Sequence, residues 1–219
     1  THVVLITPGL SGLYSHFPLG TSLAEGLLIG TVLASTDAAS VFSILRSQRL
    51  NLKYGTASML EIESGSNDPC AYMLTIVLLS ALEGGLSPAQ IAYSVFAQLV
   101  YGATIGAAIA LGAGWVLRHI RLGDNGLDSI FLVAAALASY ALPSLIGGNG
   151  YLSAYIAGIL LGNQDLPHKR SLVDFFDAFN GMMQMLIFFL LGLLVFPSRL
   201  PEYFLPSLLI ALFLTFLAR

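Results

Sequence analysis

The stretch that decides the fold is a polar run of nine residues, Glu61-Ile62-Glu63-Ser64-Gly65-Ser66-Asn67-Asp68-Pro69. It contains three carboxylates, one amide and two hydroxyls, and residues 70–82, which follow it directly, carry no charge. Ionisable side chains at the depth of a lipid bilayer are costly and usually face a partner or a water-filled cavity. The run is therefore the first candidate for a functional site, and we expect it to bind and release a small cation.

The composition places this site inside a membrane protein. The chain has 219 residues, of which 56% are hydrophobic and 10% are charged, and its mean hydropathy is +0.82. Soluble domains carry about 25% charged residues. The sequence therefore predicts an integral membrane protein. Because it has no initiator methionine and ends within an apolar run, we expect an internal fragment of a longer chain.

Apolar runs separated by short polar loops predict the membrane spans. A spanning helix needs about 20 apolar residues. By this criterion we expect eight complete or partial spans, at residues 1–13, 22–45, 54–82, 88–117, 127–146, 151–161, 172–196 and from 203 onward. The fourth is rich in glycine and alanine, which let helix backbones approach closely in lipid. The predicted fold is an all-α, polytopic transmembrane helix bundle.

The basic residues predict the orientation of these spans. Eight of the nine lysines and arginines fall on one side of the membrane when the spans are counted in this way: Arg46, Arg49, Lys53, Arg118, Arg121, Lys169, Arg170 and Arg219. Cytoplasmic loops carry an excess of lysine and arginine. This side is therefore predicted to be cytoplasmic.

Two aspartates are predicted to meet near the middle of the bilayer. Asp37 lies about 15 residues into the second span, roughly 22 Å from its outer end at 1.5 Å per residue. Asp68 lies about 14 residues into the third span, roughly 21 Å from its inner end. The hydrocarbon core is about 30 Å thick. Neighbouring antiparallel helices would therefore bring the two carboxylates together.

The second span is expected to be discontinuous around Asp37. Ser35, Thr36 and Asp37 can each hydrogen-bond the nearby backbone, which competes with helix formation. A break at this point would expose backbone carbonyls near the midplane, where transporters hold ions.

The third span supplies the other half of the predicted site. Ser64, Asn67 and Asp68 share one helix face because residues three and four apart are neighbours, and Glu63 lies four residues before Asn67. Carboxylate, hydroxyl and carbonyl oxygens suit a hard monovalent cation. The alternative is that these groups only join helices through hydrogen bonds. That alternative explains single hydroxyls better than it explains two aspartates at one depth, since unpaired buried charge is expensive.

Competition between a proton and a cation suggests a mechanism. Burial raises the pKa of a carboxyl group, whereas a bound cation lowers it. A protonated Asp68 would be neutral and cation-free, and a deprotonated Asp68 would hold a cation. If only loaded forms of the site reorient across the membrane, the two ions are exchanged.

Four stretches of the sequence resemble a known family. The sequence is similar to the bacterial monovalent cation:proton antiporters of the NhaP type, within the sodium/proton exchanger superfamily. The branch that shares Glu-Ile-Glu-Ser-Gly-Ser-Asn-Asp-Pro contains potassium/proton antiporters. The similar stretches are residues 35–42 (STDAASVF), 60–69 (LEIESGSNDP), 151–163 (YLSAYIAGILLGN) and 188–198 (FFLLGLLVFPS).

The resemblance implies roles for the polar residues. Asp68 would carry proton and cation alternately, with Ser64 and the Thr36 carbonyl as further ligands of the monovalent cation. Asp37 would shape the site from the unwound segment.

The resemblance also implies supporting residues and a wider architecture. Asn67 and Glu63 would stabilise the site, and asparagine before the aspartate is associated with electroneutral one-for-one exchange. The family fold has inverted repeats, crossing interrupted helices and a dimer. Residues 1–219 would then be a partial cation/proton exchanger domain. A later Gly-Leu-Arg-Gly segment, whose arginine would pair with Glu63, is absent from this sequence.

The function expected from these observations is exchange of K+ or Na+ for protons across the cell (inner) membrane. The transported ions would be the only small molecules required, with no separate cofactor. The expected partners are the lipid bilayer and a second copy of the chain, with no nucleic acid, and the protein is not expected to be an enzyme. Two other readings stay open: a passive cation channel, and an intramembrane aspartyl protease that uses Asp37 and Asp68.

Overall fold

The fold is helical throughout the part of the chain that a computed structural model describes, residues 22–35, 56–84, 87–120 and 125–213. These residues contain no β-strand. They form α1 Leu23–Ala34, α2 Thr56–Gly84, α3 Pro88–His119, α4 Asn125–Leu145, α5 Gly150–Gly162, α6 Lys169–Leu194, a short 3-10 helix Pro197–Arg199 and α7 Leu200–Phe213. The prediction of an all-α bundle is confirmed.

Three of the described helices are long and apolar enough to cross a membrane: Pro88–His119, Gly126–Leu145 and Lys169–Leu194. They match the predicted fourth, fifth and seventh spans closely. The α2 helix has 29 residues, but its first half carries the polar run from Glu61 to Pro69. The predicted first span lies outside the described residues.

Two compact units make up the chain, one formed by Thr1–Ile91 with Leu190–Arg219 and the other by Ala92–Phe189. In the first unit, α1 packs against α2. The start of α1 is fixed by a reciprocal cap, in which the Ser22 backbone N–H donates to Glu25 Oε2 at 2.7 Å and Glu25 N–H donates to Ser22 Oγ at 3.3 Å. The helix ends at Ala34, because Ser35 adopts an extended conformation (φ −63°, ψ 132°).

In the second unit, small residues let α3 pack closely on α5. A Cβ atom added to Gly106 would lie 2.4 Å from the Ser153 carbonyl oxygen. Near the N-terminus of α5, the Asn149 backbone N–H donates to the Gln98 carbonyl at 3.2 Å. The two helices run in the same direction, as expected of spans separated by one intervening span.

The intervening helix, α4, forms an antiparallel hairpin with α5. Ser139 and Ser153 are both fully buried, and their hydroxyl oxygens lie 3.0 Å apart. The rings of Tyr140 and Tyr151 meet edge to face at 5.1 Å. Asn149 caps α5 by accepting a hydrogen bond from Leu152 N–H at 3.0 Å. One buried pair of hydroxyls and one ring contact therefore join α4 to α5.

The opposite end of this unit brings together the last turns of α3, the early turns of α4 and α6, and Gln164. The apolar cluster there is formed by Ala113, Leu117, Leu132 and Leu172. The Arg118 guanidinium donates to Gln164 Oε1, and Lys169 Nζ donates to the Gln164 carbonyl at 3.2 Å. These two basic residues therefore lie at the same end of the unit, in agreement with the predicted distribution of lysine and arginine.

Candidate functional site

The candidate site lies where the last turn of α1 meets the middle of α2. The buried residues of α1 are small. Gly26, Gly30 and Ala34 are each one turn apart, and Thr31 lies beside them. Small residues at this spacing allow two helix backbones to approach closely in a membrane. The face of α1 that they form is therefore suited to a close contact with α2.

A pair of threonines fixes the register of the two helices. Thr75 Oγ1 lies 3.2 Å from Thr31 Oγ1, and Thr31 is only 1% exposed. Thr31 Oγ1 donates to the Leu28 carbonyl at 2.8 Å, so it receives the Thr75 proton as an acceptor. Thr75 Oγ1 also lies 2.8 Å from the Ala71 carbonyl, and its single proton serves one acceptor at a time. This contact was not predicted from the sequence.

Ser35 directly follows α1, one helical turn after Thr31. Its side chain reaches Asp68, the central carboxylate of the predicted site. Ser35 Oγ donates a hydrogen bond of 2.5 Å to Asp68 Oδ1. Because Thr31 meets Thr75 and Ser35 meets Asp68, the two helices run antiparallel. The predicted meeting of Asp37 with Asp68 stays a prediction, because Asp37 lies outside the described residues; the contact that the structure describes at this point is that of Ser35 with Asp68.

The predicted site residues on α2 share one face, and they differ in burial. Ser64 is 5% exposed and Asn67 is 2% exposed. Asp68 and Glu63 are half-buried. The two carboxylates are therefore more accessible than the buried hydroxyl and amide on the same helix.

The chemistry of this arrangement is that of a small oxygen-rich site. Asp68 supplies the negative charge and Ser64 a buried hydroxyl. Ser35, the residue that follows α1, brings the end of that helix to Asp68, and the last four carbonyls of a helix have no partner within it. Oxygen donors of this kind bind hard cations. The predicted contributors Thr36 and Asp37 lie outside the described residues.

Ser35 is the site residue that sequence reasoning missed. Its signal was present, because it opens the polar segment Ser35-Thr36-Asp37 that predicted the helix break. We expected its hydroxyl to bond its own backbone, whereas in the structure it bonds Asp68 across the helix interface. The break itself agrees with the prediction, since α1 ends at Ala34.

Comparisons with known proteins identify a family that matches the chain and several related antiporters. The family described as "Sodium/hydrogen exchanger, transmembrane" matches residues 1–219. The K(+)/H(+) antiporter NhaP of Alkalimonas amylolytica is 39% identical over 99% of this chain. The K(+)/H(+) antiporter NhaP2 of Shewanella sp. strain MR-4 is 36% identical over 100% of the chain. The Na(+)/H(+) antiporter NhaS2 of Synechocystis is 26% identical over 95%.

The chain corresponds to only part of the length of these relatives. The chain spans about 38% of the length of the two potassium/proton antiporters, and 39% of the sodium/proton antiporter. Because the family matches the whole chain and these antiporters are 36–39% identical to it, the chain belongs to the sodium/hydrogen exchanger family and is a multi-pass membrane protein.

Proposed function

We propose that the intact protein is a secondary active transporter that exchanges K+ or Na+ for protons, and that Asp68 carries the two ions alternately. The observation that carries this proposal is the half-buried carboxylate of Asp68, held against the end of α1 and flanked by the buried Ser64 and Asn67. The names of the relatives support it, because two of them are potassium/proton antiporters and one is a sodium/proton antiporter.

The exchange follows from the fact that one carboxylate cannot hold both ions. When Asp68 binds a proton it becomes neutral and loses its attraction for a cation. When it releases the proton, its charge and the hydroxyl of Ser64 attract a cation, with the Thr36 carbonyl as a further proposed ligand. An unloaded carboxylate is the costly state at this depth. The loaded forms are therefore the ones that reorient, and the two fluxes are coupled.

The remaining predicted residues have supporting roles in this proposal. Asn67 and Glu63 hold the shape of the site beside Asp68, and Asp37 orients the segment that follows α1. One cation for one proton leaves no net charge movement, so we propose electroneutral exchange. We also propose that the intact protein works as a homodimer in the bacterial inner membrane, and that it is not an enzyme and needs no cofactor.

Proteoliposomes that contain the intact protein and a pH-sensitive dye test this function. Adding K+, Na+ or Li+ should collapse a preset pH gradient, and comparing the three gives the selectivity. Asp68→Asn should abolish the response, because an amide neither carries a proton nor supplies charge. Asp174→Asn is the matched control, since Asp174 is an exposed carboxylate on α6. We expect its response to equal that of the wild type.

Other outcomes would support the rival functions. Cation flux without any counter-movement of protons would indicate a channel. Cleavage of a membrane peptide that is lost in both Asp37→Asn and Asp68→Asn would indicate a protease. A potential-sensitive dye separates the stoichiometries, because one-for-one exchange generates no membrane potential.

A further inference from the structure

We propose that Arg118 and Lys169 form a binding site for the phosphate group of an anionic phospholipid, at the end of the second unit where α3 meets the segment between α5 and α6. One lipid molecule is held there by its headgroup, and its acyl chain lies along the exposed face of α3. This binding is separate from ion exchange, and it can be measured without transport.

A single glutamine places both cations. The Arg118 guanidinium donates to Gln164 Oε1, and Lys169 Nζ donates to the Gln164 carbonyl at 3.2 Å. A second contact, from Arg118 Nε to the Gly114 carbonyl at 3.2 Å, fixes the plane of the guanidinium. The two positive charges therefore converge on one residue, and an anion placed there interacts with both.

The position of Gln164 is fixed by close packing against α3. A Cβ atom added to Gly114 would overlap Gln164 Oε1, so this glycine leaves the room that the glutamine fills. Gln164 is half-buried, and its backbone N–H donates to the Leu161 carbonyl at 3.1 Å. The fold therefore holds the residue that orients the two cations.

The charges of the two cations are not compensated by the contacts that orient them. Both cations are exposed, and their partners are neutral oxygens. Within the described part of the chain, neither Arg118 nor Lys169 pairs with a carboxylate, and the ion pair described in this unit joins His168 to Asp128 at 3.6 Å. The contacts above use two of the five N–H donors of the guanidinium and one of the three of the ammonium. The other donors are directed to an anionic ligand.

The end of α3 lies at the level of the lipid headgroups. The α3 helix is long and apolar enough to cross the membrane, and Arg118 and His119 are its last residues. Trp115 lies one turn earlier, is 56% exposed, and stacks on the His119 ring at 5.1 Å. Tryptophan is enriched at the interface between the bilayer and water. An anion that reaches Arg118 at this depth is the phosphate of a lipid.

The exposed face of α3 suits the rest of that lipid. Leu111 and Trp115 are one turn apart and are 63% and 56% exposed. Arg118 continues the same face, because residues three and four apart are neighbours on a helix. Apolar surface that leads to a cation matches the order of acyl chain and phosphate in a phospholipid. Basic pockets at the ends of membrane helices bind anionic headgroups, and each lysine or arginine near the surface raises the affinity about fivefold.

Quenching of tryptophan fluorescence by brominated phospholipids tests the site in the intact protein. The purified protein is reconstituted into phosphatidylcholine bilayers that contain increasing amounts of dibrominated phosphatidylglycerol. Because bromine quenches on contact, the titration gives the binding constant of phosphatidylglycerol relative to phosphatidylcholine. The difference from Trp115→Phe isolates the signal of Trp115. For the wild type we expect a preference for phosphatidylglycerol of about 25-fold, from two cations at about fivefold each.

Three variants and one matched control locate the site. Arg118→Gln and Lys169→Gln should each lower the preference about fivefold. Gln164→Glu keeps the size and the acceptors of the side chain but places a negative charge between the cations, so the preference should be lost. Arg170→Gln removes the same charge next to Lys169, and none of the described contacts joins Arg170 to Gln164. This control should keep the wild-type preference.

The outcomes distinguish a site from general attraction. A wild-type protein without preference for phosphatidylglycerol would overturn the proposal. An equal loss in Arg170→Gln would also overturn it, because that result indicates attraction by the net charge of the surface. Loss of the preference on adding inorganic phosphate would identify a free anion as the ligand, and would refute a lipid. Quenching by dibrominated phosphatidylcholine reports whether each variant is folded, and the three variants are independent, so one that does not fold leaves two tests.

Discussion

Replacing Gly106 by alanine should force α3 and α5 apart. The added Cβ atom would lie 2.4 Å from the carbonyl oxygen of Ser153 and 2.9 Å from its Cα, and ordinary van der Waals contact begins near 3.4 Å. The obstacle is backbone, so no side-chain rotation can relieve it. The two helices must therefore separate locally by about 1 Å, or tilt, to accept one methyl group.

The expected change in the free energy of unfolding is the difference between two opposing contributions. Overpacking of this kind costs about 1–3 kcal/mol. Alanine is the better helix former, and it returns about 0.8–1 kcal/mol relative to glycine. Because the clash is with backbone, its cost belongs in the upper part of this range, about 2–3 kcal/mol, and the net loss should be about 1–2 kcal/mol. With a shift of about 2–4 °C for each kcal/mol in a domain of 150–250 residues, the melting temperature should fall by about 2–8 °C.

The same substitution elsewhere in α3 provides the control. A Cβ atom at Gly112 would have no neighbour within 4 Å, so Gly112→Ala keeps the gain in helix propensity without the clash. Thermal unfolding of the purified protein in detergent should show a lower melting temperature for Gly106→Ala and an equal or higher one for Gly112→Ala. Equal shifts in both variants, or a more stable Gly106→Ala, would refute the close approach of α3 and α5.

Two further predictions concern polar contacts and orientation. In the hairpin of α4 and α5, a double-mutant cycle of Ser139→Ala and Ser153→Ala should give a coupling free energy of about 0.6 kcal/mol, the average for membrane hydrogen bonds. Losses of stability that simply add would show that the two hydroxyls do not interact. In a cysteine-free background, a cysteine replacing Lys169 should react with a membrane-impermeant maleimide only from the cytoplasmic side, and a cysteine replacing Glu202 only from the other. The reverse pattern would contradict the orientation derived from the basic residues.

The sequence was sufficient to predict the helices because the bilayer limits their length. The predicted span at 88–117 is the helix Pro88–His119, and the one at 172–196 is the helix Lys169–Leu194. Proline, glycine clusters and charged residues end the apolar runs, so the ends are visible in the sequence. The break at Ser35 was predicted for a related reason, since small polar side chains compete with helix formation at that point.

The contacts between helices could not be predicted in the same way. A helix that is apolar all round gives no sign of which face meets a neighbour. The sequence therefore predicted that Ser64 and Asn67 lie on the face of Asp68, which depends on helical spacing alone. It did not predict that Ser35 reaches Asp68 or that Ser139 meets Ser153, which depend on the rotation of one helix against another.

The early end of α1 has an electrostatic consequence for the site. With 12 residues, α1 is about 18 Å long, and its end lies near Asp68, because Ser35, the residue after it, donates to that carboxylate. The C-terminus of a helix behaves as roughly half a negative elementary charge. This field comes from the backbone, so it persists when a side chain is replaced. It favours a positive charge beside this end of α1, which is where the proposed site would hold its cation.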